Sequence, residues 1–323
     1  MMNFTQLVGN TPMIRIHYRL EGRAQSVCAK LEAYNPTGSI KDRIAAHILT
    51  KAAASGTLRP GQPIVEMTSG NTGIAFAALG ALTGHPVHIF MPDWASEERK
   101  QLMRMYGAVL HTVSREAGGF STALQGARDM AAETGAFQPR QFENRDNPEA
   151  HYLTTGAELL RQLPNITDFV AGVGSGGTLM GTARRLKEDH RVQTVAVEPD
   201  AAPLLSGGTA VGPHRIEGIG DDFIPAIVDP RLIDRVADIN DLDAIAMAAK
   251  LARVLGLGVG ISSGANFLGA ALRAQEPERQ VATVFADDSK KYLSTLLADP
   301  PAETAEMLTS RIELLGYETV AGR

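Results

Sequence analysis

The chain has 323 residues, of which 44% are hydrophobic and 21% are charged, with a formal net charge of −5. This length corresponds to about two domains, and the composition excludes a disordered chain or a coiled coil. The negative charge argues against a nucleic-acid-binding surface, and the single cysteine, Cys28, excludes an intrachain disulfide and a cysteine-rich zinc site.

Short runs of β-branched residues alternate with helical patterns along the chain. Strands are predicted at 26–31, 63–67, 87–91, 109–113, 168–173, 194–197 and 281–285. Helices are predicted at 72–83, 96–106, 179–188 and 241–255. This alternation is typical of a parallel sheet with helices on both faces. We expect two such α/β units, separated near the polar stretch at 141–148, with a ligand-binding cleft between them.

No segment carries the pattern of a secretory signal or of a membrane span. The first residues lack a basic stretch followed by an apolar one. The most apolar segment, 74–82, is too short to cross a bilayer. We therefore expect a cytoplasmic protein that binds neither membranes nor nucleic acid.

A lysine at the start of a helix is the first candidate for chemistry. Pro36 and Gly38 interrupt the chain, and Ser39 is a suitable N-cap for a helix whose first turn contains Lys41. The positive end of the helix dipole and partial burial both disfavour the charged ammonium. A neutral lysine amine forms an imine with a carbonyl cofactor. On this motif alone, a solvated first-turn lysine is the more common case.

The polar loop at 68–73 follows a predicted strand and opens an alanine-rich helix. The unpaired N–H groups of the first helical turn, with the hydroxyls of Thr68, Ser69 and Thr72, suit a carboxylate. The amide of Asn71 can bond a ring hydroxyl or an imine. Two glycines and four hydrogen-bonding side chains in six residues exceed what a turn requires. We interpret the loop as functional rather than as an ordinary βα turn.

A glycine-rich turn at 172–178 joins a strand to a helix and permits two interpretations. Gly172, Gly174 and Gly177 satisfy the G-x-G-x-x-G spacing, and Glu198 ends the next strand, as in a dinucleotide-binding fold. An NAD-dependent oxidoreductase is therefore one hypothesis.

The second interpretation of this turn is a cup for one terminal phosphate. Successive backbone N–H groups and two hydroxyls are placed around one point by Gly174, Ser175, Gly176, Gly177 and Thr178. A bridging pyrophosphate would not need those hydroxyls. The dinucleotide hypothesis also leaves Lys41 and Asn71 without a function, so we favour the phosphate cup.

Together these motifs resemble the pyridoxal-phosphate-dependent β-replacement enzymes of fold type II, which are similar in fold to the tryptophan synthase β-subunit. The chain resembles cysteine synthase (O-acetylserine sulfhydrylase) in particular, especially the B type, and cystathionine β-synthase is a near relative. The matching segments are 7–12, 91–93, 96–99, 106–108, 147–152 and 291–295. The resemblance implies a smaller domain at 38–145 and a larger domain, formed by 1–37 and 146–323, that carries the phosphate turn.

The resemblance also implies roles for individual residues. Lys41 matches the Schiff-base lysine of pyridoxal phosphate, and Asn71 matches the residue that bonds the 3′-oxygen of the cofactor. The group that holds the substrate carboxylate is matched by Thr68, Ser69, Thr72 and Gln141. The phosphate loop is matched by Gly174, Ser175, Gly176, Gly177 and Thr178.

Ser262 matches the serine that faces the pyridine nitrogen of the cofactor. A hydroxyl at this position leaves the nitrogen largely neutral, which favours loss of a β-leaving group over transamination. The resemblance further implies a homodimer, and we expect no metal site.

Asp221 and Asp222 depart from the cysteine synthase pattern and are more similar to that of cystathionine β-synthase. In the family this segment, which includes Gly218, lies near the reacting substrate. A carboxylate here can activate an incoming thiol or water, or can select a thiol that carries an amino group. The alternative is that both are solvated turn residues.

The function that this resemblance implies first is cysteine synthesis from O-acetylserine and sulfide. The alternatives are cystathionine β-synthase activity, lanthionine formation and a cysteine lyase activity that releases hydrogen sulfide. The expected partners are therefore small amino acids and sulfide or thiols. A binding module that keeps the cofactor loops without turnover is a further class, against which the presence of Lys41 argues.

Overall fold

The computed structural model describes residues 2–189, 191–209 and 211–320. The strands are β1 (Met13–Leu20), β2 (Arg23–Leu31), β3 (Ile64–Met67), β4 (Val87–Pro92), β5 (Val109–Val113), β6 (Asp168–Gly172), β7 (Gln193–Pro199), β8 (Arg235–Ile239), β9 (Val281–Phe285) and β10 (Ile312–Val320). The α-helices are α1 (Met2–Thr5), α2 (Lys41–Ala54), α3 (Asn71–Thr83), α4 (Glu97–Met105), α5 (Gly119–Thr134), α6 (Asp146–His151), α7 (Ala157–Gln162), α8 (Gly177–Asp189), α9 (Asp241–Leu255) and α10 (Ile261–Arg273). A π-helical turn, Tyr152–Gly156, joins α6 to α7.

The strands form two open sheets, which confirms the predicted fold class. The larger sheet has seven strands in the order β10-β1-β2-β9-β6-β7-β8, and the smaller has three in the order β3-β4-β5. Neighbouring strands are parallel except where β1 pairs with β2 and with β10. The exact limits of the two domains, 38–145 against 1–37 and 146–323, stay a prediction.

Helices pack against both sheets: α3 and α5 lie against β4, and α10 lies against β9. Every residue of β3 and of β9 is buried, including the polar residues Glu66 and Thr283. The small sheet is covered closely by α3, in which a Cβ at Gly80 would overlap the side chain of Val87 in β4. α3 ends at Gly84, which adopts φ +76°. The N-terminus of α3 is thereby fixed beside the end of β3, where the candidate site lies.

Two helix caps differ from the predicted ones, Ser39 for α2 and Gly107 for α4. α2 begins at Lys41 with Ile40 as its N-cap, and the hydroxyl of Ser39 accepts the Lys41 N–H at 3.2 Å from one position earlier. α4 ends with Tyr106 as its C-cap, and Gly107 follows it at φ +85°. In both helices the observed cap residue lies one position away from the predicted cap residue. Among the described residues, no helix is long and apolar enough to cross a membrane.

Candidate active site

A cleft opens between the two sheets, beside the starts of α2, α3 and α8. The predicted site residues on its lining are Lys41, Thr68, Ser69, Asn71, Thr72, Gln141, Gly174, Ser175, Gly176, Thr178, Gly218, Asp221 and Ser262. Gly177 is not on the lining and forms the first residue of α8, behind the phosphate turn. Asp222 is exposed and lines an adjoining vestibule. Motifs that are far apart in the sequence thus converge on one cleft.

Lys41, the first residue of α2, is the candidate nucleophile of the cleft. Burial lowers the pKa of its amine, and the carboxylates of Asp221 and Asp287 partly oppose this shift. A lower pKa increases the fraction of neutral amine, which is the form that attacks a carbonyl. The structure therefore gives Lys41 the property that the sequence predicted for it.

A buried ionic network anchors the helix that carries Lys41. Nε of Arg43 lies 2.6 Å from Oε2 of Glu32, and its Nη1 lies 2.7 Å from Oε1 of Glu158. Nζ of Lys30 lies 2.6 Å from Oε2 of Glu158. These two cations and two carboxylates balance one another in the interior. Sequence reasoning missed this network, because its members come from separate segments of the chain.

Gln141 and the loop before α3 form one wall of the cleft. The hydroxyl of Thr72 donates to Oε1 of Gln141 at 2.8 Å, and Nε2 of Gln141 donates to the carbonyl of Met67 at 3.0 Å. Behind this wall, the carboxylate of Glu66 accepts the backbone N–H groups of Met67 at 2.9 Å and of Gln141 at 3.2 Å. Burial raises the pKa of Glu66 to about 7, although these hydrogen bonds oppose the shift. Glu66, which the sequence did not single out, thus orients Gln141.

The shape of the turn between β6 and α8 depends on its glycines, which have no side chain. Gly176 adopts φ +87°, a conformation that favours glycine. A Cβ at Gly174 would overlap the carbonyl of Gly218, and a Cβ at Gly177 would overlap the amide of Asn147. The turn leads into the N-terminus of α8, a helix of 13 residues. Free N–H groups at such a helix start bind anions.

Two buried side chains hold this turn from behind. Nδ2 of Asn147 donates to the hydroxyl of Ser175 at 3.0 Å and to the carbonyl of Gln141 at 2.8 Å, which joins two walls of the cleft. Nε2 of His151 lies 3.3 Å from the hydroxyl of Thr178. Burial lowers the pKa of His151 well below its ordinary value, and nearby cations add to the shift. The imidazole is therefore neutral and supports the turn by hydrogen bonding rather than by charge.

The two consecutive aspartates are divided between the cleft and the solvent. Asp221 lines the cleft, close enough to Lys41 for their charges to interact. Burial raises the pKa of Asp221 to about 6, and the charge of Asp222 adds to this shift while Lys41 opposes it. Asp222 is exposed in the vestibule, where Arg115 and His214 also lie. Only the first carboxylate is therefore placed to meet a substrate in the cleft.

The carboxylate of Glu198, which the dinucleotide hypothesis counted as its acidic residue, has other partners. Its Oε2 and Oε1 accept the backbone N–H groups of Leu205 and Ser206, each at 2.8 Å. These bonds fix the loop after β7. The glycine-rich turn thus lacks the free acidic partner that a dinucleotide fold supplies.

The chemistry of the cleft fits a cofactor that carries an aldehyde and a phosphate. Lys41 offers an amine of lowered pKa, and the 174–178 turn offers an anion site. Oδ1 of Asn71 is buried without a hydrogen-bond partner, which leaves an acceptor for a bound group. Ser262, buried in the cleft wall, stays the predicted partner of the ring nitrogen. Fold and site together define a pyridoxal-phosphate-dependent enzyme.

Comparison with known proteins agrees with this class. Residues 4–287 match the family of pyridoxal-phosphate dependent enzymes, and the chain belongs to this family. It is 41% identical over 300 residues to a cysteine synthase of Staphylococcus aureus, and the match covers 91% of this chain and 96% of the relative. The protein is thus a cysteine synthase-like enzyme that uses pyridoxal phosphate for β-replacement.

The chain is also similar to solved structures of enzymes that are not named cysteine synthase. A hydrogen sulfide-producing enzyme of Fusobacterium nucleatum is 46% identical with a TM-score of 0.93, covering 97% of this chain and 96% of that chain. An aspartate-to-asparagine variant of a hydrogen sulfide-producing enzyme, complexed with an α-aminoacrylate intermediate, is 45% identical with a TM-score of 0.94, covering 98% of both chains. An O-acetylserine dependent cystathionine beta-synthase of Helicobacter pylori is 38% identical with a TM-score of 0.83, covering 90% of this chain and 97% of that chain.

Proposed function

We propose that this enzyme releases hydrogen sulfide from cysteine by replacing the thiol with a hydroxyl from water, so that serine is the second product. The observation that carries this proposal is the placement of Asp221 in the cleft that contains Lys41. A carboxylate whose pKa lies near 6 is mostly ionised at neutral pH and still accepts a proton readily.

The charge of Asp221 separates the possible nucleophiles. Hydrosulfide is already an anion at neutral pH, so it needs no base, and a neighbouring carboxylate repels it. Water has a pKa of about 15.7 and adds only if a base removes its proton. An anionic oxygen in this position therefore favours water, or a neutral thiol, over hydrosulfide.

The residues of the cleft divide the reaction between them. When bound, pyridoxal phosphate supplies an aldehyde that takes up the substrate amine and an electron-withdrawing ring that acidifies Cα. The loop at 68–72 and Gln141 hold the substrate carboxylate. The amine of Lys41 removes the Cα proton and later returns it.

The remaining steps take place at Cβ. The Cβ–S bond breaks and the sulfur leaves as hydrosulfide. The oxygen of a water molecule then bonds to Cβ while Asp221 accepts the proton of that water. Transfer of this proton to hydrosulfide gives hydrogen sulfide and restores the carboxylate. In sum, cysteine and water give serine and hydrogen sulfide.

Two structures of one similar Fusobacterium nucleatum enzyme support this direction, since their names describe it as hydrogen sulfide-producing. Cysteine synthesis from O-acetylserine and sulfide is the second candidate, supported by the Staphylococcus aureus relative. The Helicobacter pylori relative supports a third reaction, in which an amino-acid thiol is the nucleophile. The vestibule beside Asp222 would give such a thiol access to the cleft.

A panel of substrates with matched variants tests the proposal. The purified enzyme is given cysteine alone, O-acetylserine with sulfide, or O-acetylserine with homocysteine, and the amino-acid products and sulfide are quantified. We expect sulfide and serine from cysteine alone, with a loss of about 100-fold or more in Asp221→Asn. Asp222→Asn, the exposed neighbour, should retain turnover. The proposal fails if cysteine alone gives no sulfide, or if Asp221→Asn releases sulfide as fast as the wild-type enzyme.

The roles given to Asn71, Ser262 and the 174–178 turn in cofactor binding belong to the same proposal, as do a homodimer and a cytoplasmic location. Light scattering of the purified enzyme measures the oligomeric state directly. A monomer that turns over cysteine would remove the dimer from the proposal without affecting the chemistry.

A further inference from the structure

A buried polar cluster lies behind Asn71 and was not predicted from the sequence. Nδ2 of Asn71 donates to Oδ2 of Asp287 at 2.7 Å, and the hydroxyl of Tyr292 donates to the same oxygen at 2.8 Å. Nη2 of Arg99 lies 3.8 Å from this oxygen, and the guanidinium stacks over the ring of Tyr292, 4.4 Å from its centroid. Asp287, Arg99 and Tyr292 are each almost completely buried.

The carboxylate of Asp287 determines which way the amide of Asn71 faces. Only the nitrogen of an amide can donate to a carboxylate, and a flipped amide would place a carbonyl oxygen against two anionic oxygens. The nitrogen carries two hydrogens, of which Asp287 takes one. The second N–H and the unpartnered Oδ1 remain for groups in the cleft, whose lining includes Asn71.

We propose that Asp287 is a positioning residue for the cofactor: it fixes the Asn71 amide toward the ring oxygen, and it places a carboxylate beside the segment that leads into Lys41, because Asp287 bridges Ser39. This role does not depend on which nucleophile the enzyme uses, because it concerns the seating of the cofactor before any substrate binds. The role of Asp287 can therefore be tested independently of the proposed release of hydrogen sulfide.

The groups that face Lys41 give the direction of the electrostatic effect. The two acids are Asp221 and Asp287, and both raise the pKa of the Lys41 amine against the opposing effect of burial. His151, from α6, faces the same amine and is neutral.

The charged groups around Asp287 are two cations, Arg99 and Lys291, and two anions, Asp288 and the Glu217 that pairs with Arg99. Arg99, from α4, lies beside Asp287, and Lys291 interacts with it electrostatically. Both cations reduce the field of Asp287 without reversing its effect on Lys41. Removal of the Asp287 charge should therefore make the positive form of the Lys41 nitrogen less stable.

The test is a pH titration of the visible absorbance of the Lys41-linked cofactor in the resting enzyme, with visible circular dichroism as a second readout. In Asp287→Asn the pH midpoint should fall by roughly 1 unit, because a nearby anion has been removed. Asp288→Asn is the matched control. Asp288 is adjacent in sequence and accepts the N–H of Lys290, and its charge is not among those that shift the pKa of Lys41. The pH midpoint of the absorbance in Asp288→Asn should stay at the wild-type value.

A second variant separates orientation from charge. We expect both Asn71→Ala and Asp287→Asn to lose visible dichroism. Only Asp287→Asn should lower the midpoint, because Asn71→Ala keeps the carboxylate of Asp287. Asn71→Ala also keeps the test valid if Asp287→Asn does not fold. The proposal is wrong if Asp287→Asn and Asp288→Asn give the same midpoint, or if Asn71→Ala keeps the wild-type dichroism.

Discussion

The pH dependence of sulfide release follows directly from the environment of Asp221. Its pKa is raised to about 6 by burial, with a contribution from Asp222. If the ionised carboxylate is the base, the active fraction rises from about one-eleventh at pH 5 to about ten-elevenths at pH 7, a tenfold increase. An unshifted aspartate, with a pKa of about 3.9, would already be more than about nine-tenths ionised at pH 5. The two cases are therefore easy to distinguish.

The assay measures initial rates of sulfide release from cysteine between pH 4.5 and 8 at constant ionic strength. Circular dichroism at each pH confirms that the enzyme remains folded. In Asp222→Asn the midpoint should move below that of the wild type, because the neighbouring charge that helps to raise the pKa is gone. The reasoning is refuted if the wild-type rate is constant between pH 5 and 7, or if Asp221→Asn keeps the same midpoint.

Three further predictions, one of them with a control substitution, follow from the structure. Lys41→Ala should bind no cofactor covalently, so its mass after borohydride treatment should match the untreated chain; a mass increase would contradict the assignment. Arg43→Met leaves buried carboxylates unpaired and should lower the free energy of unfolding by about 3–5 kcal/mol in urea titrations. Arg19→Met, which breaks an exposed pair, should cost less than about 1 kcal/mol, and equal losses would be inconsistent with the network. Gly177→Ala places a Cβ against Asn147 and should weaken cofactor binding to the apoenzyme about tenfold, or about 1.4 kcal/mol; unchanged affinity would show that the turn tolerates a side chain.

The parallel part of the fold was predictable because its signals are local. β9 and α9 occupy the residues predicted for them, since a buried parallel strand leaves a short apolar run between helical patterns. The partly exposed edge strand β5 also lies where it was predicted, but the parallel strand β8 was missed. β1 and β10 were not predicted. They pair from opposite ends of the chain, with Met13 opposite Val320, and no local pattern encodes that pairing. The alternating exposure of β10 also gives a weaker signal than a fully buried strand.

The cleft was predictable to the extent that each motif is a strand-to-helix turn. Lys41 and the loops at 68–72 and 172–178 carry their chemistry in a few consecutive residues, so each could be recognised alone. Glu66, Asn147 and Asp287 could not. Each acts by holding a group that is distant in sequence, as when Asp287 receives the amide of Asn71. A single buried polar residue in a sequence gives no sign of the partner that satisfies it.

The most direct test of the proposed chemistry is turnover of cysteine in water enriched with oxygen-18. If water supplies the new substituent at Cβ, the serine should carry oxygen-18 in its hydroxyl group, and sulfide should form in equal amount. Asp221→Asn should form neither product at an appreciable rate. Release of sulfide with pyruvate in place of serine, or serine without the label, would contradict the account.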